Sequence, residues 1–135
     1  MFSKHSKPQN RIDSLIGLGT KVSGDIHFTG GLRIDGEVKG SVIADSAKAS
    51  TLVLSEHAKV DGEISVTHLV VNGAVTGPIQ ASEYLELQSK AKVIGDVRYK
   101  TLEIQLGAIV EGKLVHINET AEKVVPLKAG GAESK

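Results

Sequence analysis

The chain has 135 residues, with 16 basic and 16 acidic side chains, no cysteine and an aromatic content of only 3%. The balanced charge and the scarcity of aromatic rings argue against a nucleic-acid-binding protein, and the lack of cysteine excludes disulfides and thiolate metal sites. No apolar run approaches the roughly 18 residues of a membrane-spanning helix, and the N-terminus lacks the apolar segment of a secretory signal. We therefore expect one small domain that is compatible with a reducing cytoplasm.

The sequence divides into an arm, a repeat array and a tail. The arm, residues 1–13, reads MFSKHSKPQNRID, and its polar, basic composition predicts an unstructured segment. The tail, residues 119–135, mixes charges with Pro126 and the pair Gly130-Gly131, and is predicted to be disordered as well. Between them, residues 14–118 are predicted to form a single uninterrupted domain.

The array consists of six related units. Three of them share the pattern Leu-x-Leu/Ile-x-x-x-Ala-x-Val-x-Gly-x-aliphatic and start at Leu52, Leu85 and Leu102. Two units that start at Leu32 and Leu69 are two residues shorter in the middle, and a degenerate copy opens the array around position 14. The starts are 16 to 20 residues apart, and repeats of this length predict a solenoid.

Periodicity identifies the kind of solenoid. Apolar residues recur at every second position, which predicts short strands with one buried face and no helix. A unit of about 17 residues accommodates three short strands, so each unit makes one rung of a parallel β-helix. The Gly two places after each core Val marks a bend where a missing Cβ relieves crowding. We predict an all-β, single-domain parallel β-helix of about six rungs.

Two columns of equivalent positions indicate how the rungs stack. The position two residues after the last motif residue alternates large and small side chains, as a filled interior requires: Phe28, Ala44, Val66, Ala81, Tyr99 and His116. The position before the core Val keeps like charges off adjacent rungs: Lys21, Glu37, Lys59, Ala74, Lys92 and Ile109. Charged columns of this kind are typical of a solvated face.

The ends of the array carry the functional prediction. The first and last rungs of a β-helix expose unpaired backbone groups, and both flanking segments are too polar to cap them. The corner position that is Glu56 or Ser89 inside the array is Leu18 in the first rung and Leu106 in the last. We therefore predict polymerisation by stacking between subunits, either head-to-tail or with alternating ends. The predicted polymer interface comprises Ile16, Leu18, Val22, Phe28, Leu102, Ile104, Leu106, Val110 and Leu114.

Several units carry the motifs of a known family. They are Val22-x-Gly24-x-Ile26, Val60-Asp61-Gly62-Glu63-Ile64, Val93-x-Gly95-Asp96-Val97 and, most clearly, Gly31-Leu32-Arg33-Ile34-Asp35-Gly36-Glu37-Val38-x-Gly40. In these motifs, in rung number and in the two polar arms, the chain resembles the bactofilins, bacterial cytoskeletal proteins built on a short right-handed β-helix. The right-handed sense is implied by this resemblance alone.

The resemblance implies a cytoplasmic scaffold that polymerises without nucleotide into non-polar filaments and positions cell-wall or envelope proteins near the inner membrane. The segment Gly17–Lys21 also lacks the spacing of a phosphate-binding loop, so we expect neither a nucleotide nor another cofactor. Many bactofilins carry an N-terminal membrane-targeting peptide, and the start of this chain is similar to one. Its candidate membrane-binding residues are Met1 and Phe2, which would insert, and Lys4 and Lys7, which would meet anionic lipid.

Enzymes built on β-helices are the alternative. A left-handed β-helix enzyme, such as a hexapeptide acyltransferase or a zinc carbonic anhydrase, requires a six-residue repeat and even rungs, which this array lacks. The five histidines show no zinc-ligand spacing, so no metal site is predicted. A pectin-lyase-like enzyme needs long loops between rungs to form a cleft, and the steps here vary by only four residues. We therefore predict a non-enzymatic protein without catalytic residues.

Overall fold

The computed structural model describes residues 11–45 and 47–118, so most of the predicted arm and the whole predicted tail lie outside the described residues. The described part contains sixteen short strands and no helix. The strands are β1 (Ser14–Ile16), β2 (Lys21–Ser23), β3 (Ile26–Phe28), β4 (Gly30–Ile34), β5 (Glu37–Lys39), β6 (Val42–Ala44), β7 (Ser50–Leu54), β8 (Lys59–Asp61), β9 (Ile64–Val71), β10 (Ala74–Thr76), β11 (Ile79–Leu87), β12 (Lys92–Ile94), β13 (Val97–Tyr99), β14 (Leu102–Ile104), β15 (Ile109–Glu111) and β16 (Leu114–His116).

These strands wind into a parallel β-solenoid of six rungs, each with a first, second and third strand. The second strands stack as one six-stranded sheet in the order β15-β12-β10-β8-β5-β2. The first and third strands belong to one ten-stranded sheet, because β9 and β11 run continuously from the third strand of one rung into the first strand of the next. Every pairing is parallel between neighbouring rungs. The predicted fold class is confirmed, while the right-handed sense and the boundaries at 13/14 and 118/119 stay predictions.

The pairing register follows the columns of the sequence repeat. Leu52 pairs with Leu32 on one side and Leu69 on the other, and Leu85 continues the column to Leu102. The second strands align in the same way from Val22 to Val110. Because side chains alternate along each strand, these residues all point inward and form one dry aliphatic core in the inner rungs.

The first corner, between the first and second strands, has two lengths. In rungs 1, 3, 5 and 6 it is a four-residue turn closed by a backbone bond, such as Ala58 N–H to the Ser55 carbonyl at 3.0 Å. In rungs 2 and 4 it shortens, and a glycine occupies it. A Cβ at Gly36 or Gly73 would overlap backbone carbonyl oxygens of the preceding rung. Corner length alone does not set the repeat step, because rung 2 has a short first corner but the longest step, and its extra residues lie between β6 and β7.

The second corner, between the second and third strands, requires glycine for a similar reason. Gly62 has a φ of 157°, and a Cβ there would overlap the carbonyl of Gly40 in the rung before it. Next to this glycine column, Asp25 and Asp96 each accept a hydrogen bond from the backbone N–H of the following rung. These two carboxylates therefore hold adjacent rungs together in addition to facing solvent.

Candidate functional site: the ends of the solenoid

The two ends of the solenoid present strands that pair on one side only. β2 and β15 are the outermost strands of the six-stranded sheet. The described residues beyond the terminal rungs stay beside their neighbours, since Asp13 N–H bonds to the Gly31 carbonyl at 2.8 Å and Ile117 N–H to the Tyr99 carbonyl at 2.6 Å. Within residues 11–45 and 47–118, no segment therefore crosses either end, and the outer backbone groups there are available for pairing.

Core columns that are buried inside the solenoid become exposed at its last rung. Leu87 and Val97 have no exposed surface, whereas their in-register partners Ile104 and Leu114 are 46% and 43% exposed. Val110 and Leu102 are half-buried and pack on the core from the same rung. Among residues 11–45 and 47–118, nothing covers the apolar cross-section of the last rung.

The first rung shows the same transition. Ile16, Val22 and Phe28 are half-buried, although Ile34 and Val38, which stack on the first two, have at most 1% of their surface exposed. Seven of the nine predicted interface residues therefore lie in core columns at the two open ends.

The remaining two predicted interface residues, Leu18 and Leu106, lie elsewhere. Each lies at the tip of a four-residue first corner, 72% and 96% exposed respectively. The equivalent residues of inner rungs, Glu56 and Ser89, are exposed even though rungs stack on both sides of them. Stacking of a further rung of the same kind would therefore leave Leu18 and Leu106 at the rim of the contact.

Four other exposed apolar side chains near the ends were not among the predicted interface residues. They are Ile12 and Leu15 near the first rung and Ile94 and Ile109 near the last, between 40% and 60% exposed. Leu15 and Ile109 occupy outward positions directly before inward core residues. The available signal was a pair of adjacent aliphatic residues in a strand, which interrupts the alternation of apolar and polar positions.

Hydrogen bonding at each end stabilises the terminal rungs. The Asp13 carboxylate accepts the Gly31 N–H at 2.9 Å, and this bond, assisted by Arg11, lowers the pKa of Asp13 below its ordinary value of 3.8. At the other end, Tyr84 donates its hydroxyl proton to Glu103 at 2.7 Å. Burial and the neighbouring carboxylates raise the pKa of Tyr84, so its hydroxyl remains a donor.

The described residues line a groove of about 570 Å³ above the short first corner of rung 2. Its carboxylates are both engaged: Asp35 pairs with Arg33 at 2.9 Å and Glu56 with Lys90 at 3.0 Å. The Lys90 hydrogen bond and charge lower the pKa of Glu56. This pairing keeps the Glu56 carboxylate ionised.

The described residues also contain no group of three or more His, Cys, Asp or Glu side chains placed to hold a metal ion. No helix in the described part of the chain is long and apolar enough to cross a membrane. The predicted membrane-binding residues Met1, Phe2, Lys4 and Lys7 lie outside the described residues.

Comparison with known families agrees with this geometry. The family model for the bactofilins, described as polymer-forming cytoskeletal proteins, matches residues 14–115. The chain belongs to the bactofilin family. Its match covers the solenoid from the first strand of rung 1 to the third strand of rung 6, so both open ends are part of the bactofilin domain.

Two curated bactofilins of Myxococcus xanthus (strain DK1622) are similar to the chain. Bactofilin BacO is 31% identical over 102 residues, which are 76% of this chain and 78% of BacO. Bactofilin BacP is 27% identical over 109 residues, which are 81% of this chain but only 44% of BacP. The match thus covers less than half the length of BacP. No solved structure matches it significantly.

Proposed function

We propose that this bactofilin polymerises without nucleotide into non-polar filaments by stacking the terminal rungs of its solenoid, and that the filament serves as a scaffold. The observation that carries the proposal is the loss of burial along the core columns, from 0% exposed at Leu87 and Val97 to nearly half exposed at Ile104 and Leu114. Edge strands with an apolar cross-section favour pairing with another chain.

The contact combines apolar burial with backbone pairing. Ile16, Val22 and Phe28 at one end, and Leu102, Ile104, Val110 and Leu114 at the other, supply the apolar surface, with Leu18 and Leu106 at the rim. Because every outer strand already has parallel neighbours on its inner side, a stacked subunit would extend the existing sheets. This is the common route by which edge strands recruit a partner.

A non-polar filament follows if each end meets its own copy, which the apolar character of both cross-sections permits. The chain has no cysteine, so introduced thiols can report the polarity directly. In a non-polar filament, a short bis-maleimide should cross-link S14C alone and H116C alone into dimers. If dimers form only when S14C and H116C are mixed, the filament is head-to-tail and the non-polar proposal is refuted.

Nucleotide independence is supported by the local structure of the glycine-containing segment near the N-terminus. Gly17–Thr20 forms a first-corner turn in which Thr20 N–H bonds to the Gly17 carbonyl at 3.1 Å. The Thr20 carbonyl in turn accepts the Glu37 N–H of rung 2 at 2.9 Å. A phosphate-binding loop needs several free N–H groups that converge on one point, whereas the Thr20 N–H is already bonded within the corner. Equal filament yield with and without ATP or GTP tests this part.

We further propose a cytoplasmic protein, peripheral to the inner membrane, that is attached through Met1, Phe2, Lys4 and Lys7 and recruits envelope or cell-wall proteins. Single short anchors bind weakly, but a filament presents many copies and gains avidity. Deletion of residues 1–7 should abolish co-sedimentation with anionic vesicles while filaments still form. Unchanged vesicle binding by the deleted chain would refute the membrane anchor.

A structural rather than enzymatic role completes the proposal. It is supported by the family's description as polymer-forming and cytoskeletal and by the ion pairing of both carboxylates in the groove.

A further inference from the structure

The outward surface of the six-stranded sheet carries a regular charge pattern in its second and third rungs. Each second strand places its first and third residues outward, on either side of an inward core residue. In rung 2 these are Glu37 and Lys39, and in rung 3 they are Lys59 and Asp61. The register places Glu37 beside Lys59 and Lys39 beside Asp61. The four side chains therefore form a two-by-two checkerboard of alternating charge, which we call the charge square.

The side chains of the charge square are not ion-paired within the described part of the chain. The ion pairs found among residues 11–45 and 47–118 involve none of its four members. Lys39, Lys59 and Asp61 are exposed, and Glu37 is half-buried. Together with Ala74 and Thr76, the square surrounds a shallow depression of about 200 Å³. Four charges around a depression form a surface that can receive an equally patterned surface.

We propose that the charge square is a lateral contact for a second copy of this chain, with the two solenoid axes antiparallel. The contact has a two-fold axis that runs along the strand direction and passes between β5 and β8. This rotation places Glu37 opposite Lys59 of the second copy and Lys39 opposite Asp61 of the second copy. By symmetry each pair forms twice, so four opposite-charge pairs surround the axis.

The outward residues of the neighbouring rungs are compatible with this arrangement in charge and in size. Rung 1 of one copy lies over rung 4 of the other, which brings Lys21 over Ala74 and Ser23 over Thr76. Neither combination opposes like charges, and Ala74 and Thr76 are small. The pattern thus continues without conflict over four rungs.

The charges also fix the register of the contact. A slip of one rung in one direction places Glu37 against Glu37 of the second copy and Lys21 against Lys59 of the second copy. A slip in the other direction places Lys59 against Lys59 of the second copy and Lys21 against Lys92 of the second copy. Like charges opposed in this way disfavour the slipped contacts, so the charge square selects one alignment.

A parallel arrangement is also charge-compatible within the square, since it opposes Glu37 to Lys39 and Lys59 to Asp61. The remaining rungs favour the antiparallel one. Parallel pairing places the exposed Ile109 against Glu111 and Ile94 against Lys92, which removes water from charges beside aliphatic side chains. Antiparallel pairing leaves rungs 5 and 6 outside the contact.

This inference rests on the proposed filament, because exposed ion pairs are individually weak and become effective only when repeated along a polymer. Filaments of the full chain are assembled at low ionic strength and centrifuged at two speeds. High-speed pelleting measures filaments, and low-speed pelleting measures their lateral association. We expect wild-type filaments to pellet at low speed and to lose this property as salt increases. Absence of any high-speed pellet would refute filament formation itself, and the lateral contact with it.

Charge reversals test the contact residues. E37K and K59E should each reduce the low-speed pellet at least fivefold and leave the high-speed pellet unchanged. The control reversals E63K and R98E change the charge equally, at exposed positions outside the six-stranded sheet, and should leave both pellets unchanged. An undiminished low-speed pellet for E37K and K59E would overturn the proposal.

Mixing establishes the orientation. In the antiparallel contact, preformed E37K filaments and preformed K59E filaments are complementary to each other, and mixing them should restore the low-speed pellet. The double variant E37K/K59E should also associate. Restoration by E37K with K39E, and not with K59E, would mean parallel pairing and would overturn the antiparallel arrangement.

Discussion

Leu114 offers a direct test of stacking at the last rung. It lies in β16, in register with the fully buried Val97, yet 43% of its surface is exposed. Val115 follows it on the same strand and points away from the core. Leu114→Lys therefore places a charge on the proposed contact, and Val115→Lys places the same charge one residue away on the outer surface.

The expected effect follows from the exposed fraction. Full burial of a Leu side chain contributes about 1.5–3 kcal/mol, so covering the exposed part of Leu114 contributes about 1 kcal/mol from each subunit. A lysine loses this term and adds a desolvation cost of about 2 kcal/mol for a polar group held in an apolar contact. In a non-polar filament the last rungs of two subunits meet, so both copies count, and the sum of about 6 kcal/mol weakens that contact by about four orders of magnitude.

The assay is high-speed pelleting over a range of protein concentrations, with far-UV circular dichroism to verify that each variant is folded. Leu114→Lys should stay folded, because a lysine at an open end can extend its ammonium group into water, but should not pellet at wild-type critical concentration. Val115→Lys should pellet like the wild type. Ile104→Lys, in the neighbouring column, provides a second variant. Wild-type assembly by both folded end variants would refute stacking through the last rung.

Two further predictions concern the fold itself. Gly62→Ala should destabilise the chain severely, because the new Cβ would overlap the Gly40 backbone. A Cβ at Gly24 would meet no atom within 4 Å, so Gly24→Ala should cost only backbone strain of about 1–3 kcal/mol. Thermal unfolding of the two variants compares these effects. Asp13→Ala should lower the melting temperature at pH 7, and this difference should shrink as the pH falls below 3.8. The pKa of Asp13 is lowered by folding, so its contribution is present above the ordinary value of 3.8 and disappears as pH falls through the folded value. A pH-independent difference would contradict this role for the Gly31 bond.

The stacking register could be predicted from sequence because apolar residues recur at every second position of a strand and a glycine recurs at the same position of each rung. The predicted charge column before the core Val is confirmed at every step from Lys21 to Ile109. Inward and outward positions cannot exchange without moving the whole aliphatic set to solvent. The pattern therefore specifies both the core and its open ends.

Features that depend on the corners could not be predicted in the same way. The alternation of short and long first corners brings Glu56 and Lys90, which are 34 residues apart, into an ion pair that spans the short corner at Asn72. Leu18 and Leu106 are predicted as contact residues because Glu56 and Ser89 hold the equivalent position in inner rungs; corner geometry exposes both side chains, and their part in the contact stays a prediction. Their direction depends on backbone shape rather than on alternation.

The most direct test of the central claim is negative-stain electron microscopy of the full chain in buffer without nucleotide or metal, beside folded Leu114→Lys. Stacking of terminal rungs predicts filaments in the wild type and dispersed single particles in the variant. Dispersed particles in both, at concentrations well above micromolar, would contradict polymerisation through the open ends of the solenoid.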